Sequence, residues 1–241
     1  MHALIGTVVG ALAVIGAVGC ERSSPGAPMA DQTLTGTRSA PVAAPEAERE
    51  STTTDAVPTP IAEPGVVPTF AETIPPDKQT CFHTPDAAAT ATAAQVNDPA
   101  APRIVVDVPP AWTSAPGTGE PADVALTMTG PDGMTGQVTI AATTLDPVAA
   151  FEDYADGVMA RSGVAVLNMW PAEFCGYSSQ ELFGNWSDQP GESTEFADRI
   201  AHIWTNTGDY LVAVHLQGRA EAPGFDAAKE LLTADFSIVI P

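Results

Sequence analysis

The chain holds three cysteines and four histidines among 241 residues, and their positions restrict its chemistry more than any other side chains do. His202 and His215 flank the turn signal Asn206-Thr207-Gly208-Asp209. With Thr207-Gly208 as a two-residue hairpin loop, Ile200 faces His215 and Ala213 faces His202. Both imidazoles then sit diagonally on one sheet face. Zinc takes three or four ligands and no third is evident, so no metal is expected. Histidines satisfied by hydrogen bonds are the simpler alternative. A hydrolase using Ser178 or Ser179 with one of these histidines is the enzymatic alternative. Against it, the chain has no G-x-S-x-G elbow, no G-x-x-x-x-G-K-[ST] loop and no G-x-G-x-x-G turn. The expectation is a non-enzyme without a cofactor. Trp112, Trp170, Trp186 and Trp204 all fall in the C-terminal part. They are candidates to line an apolar ligand cleft between sheet and helix, and equally to fill a core or a sheet edge.

Cys20 carries a different chemistry. Residues Ala3 to Val18 are uncharged and mostly apolar, and they run into Gly19-Cys20. Sixteen residues in a helix span about 24 Å, short of the roughly 30 Å hydrocarbon core, so a signal peptide over 1–19 fits better than a permanent span. Ala17 and Gly19 before a cysteine match the bacterial lipobox, in which the thiol accepts a diacylglycerol and cleavage leaves Cys20 as the lipidated N-terminus. The segment before the apolar run lacks Lys and Arg, having only Met1 and His2. An ordinary secretory signal or an uncleaved anchor is the alternative. With Cys20 lipidated, Cys81 and Cys175 remain as a pair in an oxidising compartment, where a disulfide persists; two unrelated buried thiols are the other possibility.

Charge narrows the partners. Nine Lys+Arg against 30 Asp+Glu leave a formal charge of −21, which repels a phosphate backbone and excludes nucleic acid. Between Glu21 and Pro102 lie 13 prolines, 17 Ser/Thr and 17 alanines, but only two aromatics, Phe70 and Phe82. Such a stretch buries too little apolar surface to offset its ordering entropy. Residues 20–75 are therefore expected to be a disordered tether, flexible to about Thr69, that lifts a domain off the membrane. Residues 76–102 are expected to be a partly ordered extension. Within it Thr84-Pro85-Asp86 reads as a helix start, and Ala87 to Val96 as a short helix stopped by Asn97-Asp98-Pro99.

From Arg103 onward the pattern changes to that of a folded domain, 103–241. Strands are expected at Ile104–Val108, Val124–Thr129, Gln137–Ala142, Val164–Trp170, Gln180–Trp186, Glu195–Thr205, Tyr210–Gln217 and Phe236–Ile240. Gly130-Pro131-Asp132-Gly133 marks one hairpin. Asp146-Pro147 opens a helix running to about Ser162, with Val148, Phe151, Tyr154, Ala155, Val158 and Met159 at helical spacing and Asp153 and Asp156 on its solvated side. Phe225–Thr233 is a second helix. The order β-β-β-α-β-β-β-β-α-β, dominated by hairpins, predicts an α+β fold with a mostly antiparallel sheet and helices packed on it.

Four stretches carry a family resemblance: IVVDVPPAW at 104–112, LDPVAAFEDYADGVMARSG at 145–163, HIWTNTGDYLVAVHLQG at 202–218 and FDAAKELLTADFSIVIP at 225–241. Together with the lipobox and the Pro/Thr/Ala-rich spacer, they resemble the LpqN/LpqT lipoproteins of actinobacteria. The resemblance implies a PsbP/Mog-like α+β sandwich. It also implies a non-enzymatic role in a mycolate-containing envelope, binding or handing over lipids and contacting lipid-export proteins. The expected location is the extracytoplasmic side of the cell membrane, with the membrane itself a partner through the N-terminal lipid. An adaptor that docks a protein partner through its acidic surface is the alternative.

Overall fold

In this computed structural model the described residues are 64–69, 72–162, 165–189, 191–234 and 236–241. The signal segment, Cys20 and the tether up to residue 63 lie outside them.

Turn chemistry fixes the hairpins. Strands β1 (Lys78–Cys81), β2 (Thr90–Ala94), β3 (Arg103–Val108), β4 (Thr113–Pro116), β5 (Val124–Thr129) and β6 (Thr135–Thr143) precede helix α1 (Pro147–Met159). Then follow β7 (Ala165–Pro171), β8 (Ser178–Gln189), β9 (Glu192–Trp204), β10 (Asp209–Arg219), α2 (Phe225–Thr233) and β11 (Ser237–Ile240). Between β5 and β6, Asp132 and Gly133 take positive φ of 55° and 77°, and the Met134 N–H donates to the Pro131 carbonyl. Asp146 caps α1 by accepting from the Ala149 N–H at 3.0 Å, with Pro147 in the first turn where it forfeits no bond.

The strands form two sheets, a seven-stranded one in the order β4-β5-β6-β10-β9-β8-β7 and a four-stranded one in the order β1-β11-β3-β2. Every strand pairing among the described residues is antiparallel. The α+β, mostly antiparallel expectation holds. One face of the large sheet buries Ala201, Ile203, Val212, Val214 and Leu216 against Ile104, Ile238 and Ile240 of the small sheet and Phe225 and Leu232 of α2. The other face receives α1, whose Phe151 and Ala155 pack on Leu182, Ile200 and Ala213, and whose Val158 packs on Trp186 and Phe196. Cys81, at the end of β1, is bonded to Cys175 in the β7–β8 turn, 94 residues away in sequence, so the two sheets are covalently joined.

Two local expectations fail, and two short strands were not foreseen. Residues 87–96 do not form a helix; Asp86 makes a single turn, accepting from the Ala88 N–H at 2.7 Å, and Thr90–Ala94 then pairs with β3. A ten-residue helix is marginal alone, whereas the strand buries Ala94 completely and lets Thr90 and Thr92 adopt the extended backbone that β-branched residues favour. β1 and β4 were likewise not evident, being four residues each with no alternation to mark them. The tether also ends earlier than residue 69. Ser179 N–H donates to the Gly65 carbonyl, and the Val67 N–H to Ser178 Oγ at 2.9 Å, so residues 65–67 are fastened beside β8.

One glycine is placed by contact rather than by conformation. Gly130 has an ordinary extended backbone, yet an added Cβ would lie 2.2 Å from the Trp112 ring. Gly130→Ala should therefore lower stability by about 1–3 kcal/mol through overpacking. Thermal unfolding with Trp112 fluorescence checks this.

Candidate functional site

The hairpin of β9 and β10 closes with Asp209 opposite Trp204 rather than through a two-residue loop, and the Thr205 N–H donates to the Gly208 carbonyl. Pairing is shifted by two residues from the expected register. A two-residue slip keeps each side chain on its face, so His202 and His215 do share one. It separates them, however: His202 now faces Leu211, and His215 faces Asp198. Four residues along a strand put them roughly 13 Å apart. His202 Nε2 donates to the Leu145 carbonyl at 3.0 Å, which ties the β9 end to the start of α1. Among the described residues no group of three or more His, Cys, Asp or Glu could hold a metal.

His215 belongs to a buried polar cluster that the two-residue slip creates. Its Nδ1 is hydrogen-bonded to Asp198 Oδ1, and the Asp198 side chain is fully buried. Nε2 lies 3.1 Å from Gln217 Oε1. The Trp186 ring is parallel to the imidazole at 6.2 Å, and the Arg161 guanidinium lies 5.8 Å from the Trp186 centroid. Burial works against a charged His215. The negative charge and hydrogen bond of Asp198, with Gln217, overcome it, and the nearby Arg161 charge only partly offsets them, so its pKa is raised. Burial, and then the Asp198 charge, push the Tyr154 hydroxyl well above its ordinary value. This cluster fastens α1 to the sheet.

Ser178 lies directly across the strand pair from His202, but both serine hydroxyls are taken up by backbone groups. Ser178 Oγ accepts from the Val67 N–H and donates to the Val67 carbonyl, and Ser179 Oγ donates to the Ile200 carbonyl at 2.7 Å. A different serine, histidine and aspartate are joined instead. Asp107 can only accept, so His83 Nε2–H donates to Asp107 Oδ1 at 3.1 Å, leaving Nδ1 to accept from Ser237 Oγ at 2.8 Å. The Asp107 carboxylate also accepts the Asp86 N–H at 2.7 Å, and Gln79 Nε2 donates to Ser237 Oγ at 3.0 Å. Asp107 and Ser237 are buried, and so is the side chain of His83. They lie where residues 82–89 cross from β1 at one edge of the small sheet to β2 at the other, and they fasten that crossing to β11 and β3. Sequence reasoning missed the set because 154 residues separate His83 from Ser237.

The four tryptophans are not brought into one cleft. Trp112 covers Gly130, Trp186 is buried beneath α1, and Trp204 is half-buried at the end of β9. Trp170 is 62% exposed on β7. It stands edge-on to Phe183 at 5.4 Å. Val166, on the same side of the strand, is 56% exposed, and Met169, on the opposite side, is 40% exposed. Below them opens a groove of about 380 Å³ lined by Val166, Asn168, Phe183, Glu195, Glu221 and Lys229, with the Lys229 ammonium 5.1 Å from the Phe183 ring. β7 is the last strand of the large sheet. Its sequence, AVLNMWP, has no charged residue, although an edge left to water normally carries one. Exposed apolar side chains on an unpaired strand edge can bind a partner; nothing there resembles a reacting constellation.

No family model matches the chain, and no curated protein does. In structure the chain is similar to LpqN of Mycobacterium tuberculosis, described as involved in cell envelope biogenesis, with 18% identity and a TM-score of 0.49 over 62% of this chain and 91% of that one. It is also similar to the cyanobacterial PsbP (CyanoP) of a Synechocystis species, with 14% identity and a TM-score of 0.38 over 63% of this chain and 93% of that one.

Proposed function

We propose that this is a lipid-anchored protein of the cell envelope that works by binding rather than by catalysis, and that it offers its partner the apolar surface around Trp170. The carrying observation is the uncharged edge strand β7, with Val166 and Trp170 both more than half exposed. Large apolar side chains exposed close together on one strand mark an interaction site. The apolar run ending in Gly19-Cys20 and the Pro/Thr/Ala-rich tether support the anchor and an extracytoplasmic location. The Cys81–Cys175 disulfide agrees with an oxidising compartment. The non-catalytic role is supported by the burial of Ser237, whose hydroxyl is held by Gln79 and His83. The partner is an envelope lipid or a lipid-export protein.

Two measurements on the full chain in cells test this. Cys20→Ala should move the protein from the membrane to the soluble fraction. A photo-crosslinking residue in place of Trp170 should give an adduct, lipid or protein by mass, while the same residue in place of the exposed Glu120 gives none. No adduct from position 170 would overturn the binding surface.

A further inference from the structure

Resting on that binding surface, we infer that its occupant is an extended, apolar peptide segment flanked by basic residues, which adds to the large sheet as an eighth strand alongside β7. Three features of the edge select this chemistry.

The first is the backbone. Every second residue of an edge strand turns its N–H and C=O away from its neighbour, and among the described residues β7 has a strand neighbour only in β8. A lipid chain laid along β7 would strip water from these groups and return no hydrogen bond, which is unfavourable for each group left unpaired. An incoming strand satisfies them.

The second is the pattern of side chains. Val166, Asn168 and Trp170 point to the face shared with Phe183, and Ala165, Leu167 and Met169 to the face shared with α1. Val166 and Trp170 are exposed on the first face and Met169 on the second, close in sequence to Pro171, which ends the strand. A strand beside β7 would meet apolar neighbours on both of its faces. Its sequence should therefore be a run of β-branched apolar residues rather than an apolar/polar alternation.

The third is charge. Glu195 and Glu221 line the groove below Val166, and the exposed Glu173 follows the end of the strand, with Lys229 the one cation lining the groove among the described residues. The chain's net charge of −21 disfavours a second copy of itself and attracts a cationic segment. Acidic side chains beside an apolar strip favour lysine or arginine at the ends of the entering strand.

The test uses the full-length protein in detergent and a labelled decapeptide of Val, Ile and Thr with two lysines at each end. Saturable binding is expected, weakening from low to physiological salt. The same peptide N-methylated at every second residue should bind at least about tenfold more weakly, since it keeps the apolar contact and loses the ladder. Replacing the lysines by glutamates should also weaken binding. Trp170→Ala should reduce it with the fold unchanged, and Met169→Pro, at a position whose N–H faces away from β8, should abolish it. Equal binding of the methylated and unmethylated peptides would overturn strand addition. So would binding of phosphatidylglycerol vesicles in place of the peptide, or a dimer of the chain that excludes it. A crosslink from position 170 in cells with no binding of the peptide would sink this inference and leave the binding surface standing. Peptide binding with no crosslink in cells would overturn the proposed role of the surface itself.

Discussion

Asp198→Ala should cost about 3–5 kcal/mol of stability at pH 6, because it removes one partner of a buried pair and leaves the other without compensation. His215, left beneath α1, would have to lose its proton or stay charged against Trp186 with no counter-charge. The pH dependence carries the sharper signature. Asp198 raises the His215 pKa above that of the unfolded chain. The stabilisation is therefore complete below about pH 6.5, the ordinary histidine value, and is lost as pH rises through the higher folded value. Urea unfolding of the wild-type chain should show stability falling with pH above 6.5. In Asp198→Asn, which keeps the shape and removes the charge, that slope should flatten. Parallel pH profiles for wild type and Asp198→Asn would show that the pair is not charged in the folded protein. A loss below 1 kcal/mol in Asp198→Ala would show that the cluster does not hold α1.

Removing the disulfide should have a comparable effect by another route. Cys81 and Cys175 close a loop of 94 residues. In the chain-entropy model such a closure withholds about 4.7 kcal/mol of unfolded-state freedom. The bridge also joins the end of β1, an edge of the small sheet, to the turn leading from β7 into β8 of the large one. Cys81→Ala with Cys175→Ala should lower the unfolding free energy by about 4–5 kcal/mol. It should also expose residues 64–89 to proteolysis, since β1 is then held at that end by its hydrogen bonds to β11 and the one that the Tyr177 hydroxyl donates to Thr80 Oγ1. Limited proteolysis followed by mass spectrometry reads the second effect, and unfolding with and without reductant reads the first. Coincident unfolding curves would mean that packing of the small sheet already supplies the constraint.

These two sites divide cleanly in how far they could be read in advance. The disulfide followed from counting cysteines once Cys20 was set aside, because an oxidising compartment leaves two remaining thiols little alternative. The Asp198–His215 pair did not, although both residues lie in strands that were placed correctly. A two-residue loop at Thr207-Gly208 and the four-residue connection actually formed fit the same turn residues. They differ by two in register, which moves His215 from Ile200 to Asp198. Turn composition constrains a hairpin's position, but the packing of α1 on Leu182, Ile200 and Ala213 accompanies the register that forms.

The same distinction runs through the chain. Local physics determined the Pro131–Gly133 turn, the Asp146 cap with Pro147, the spans of both helices and the alternation of the long strands; each depends on residues within a few positions of one another. The apolar segment ending at Cys20 and the low-aromatic tether are compositional, and needed no fold to be recognised. Only the tertiary structure decided that Thr90–Ala94 is a strand, because its stability comes from β3 and from the buried site of Ala94. It alone joined His83 to Ser237 and Asp107, residues distant in sequence that the crossing of the small sheet brings together. It also decided which tryptophan is exposed. Trp170 and Trp186 lie on neighbouring strands, but one meets solvent at the last strand of a sheet and the other lies under a helix. A strand's period of two tells which residues share a face; whether that face is covered depends on what packs there, and that partner comes from elsewhere in the chain.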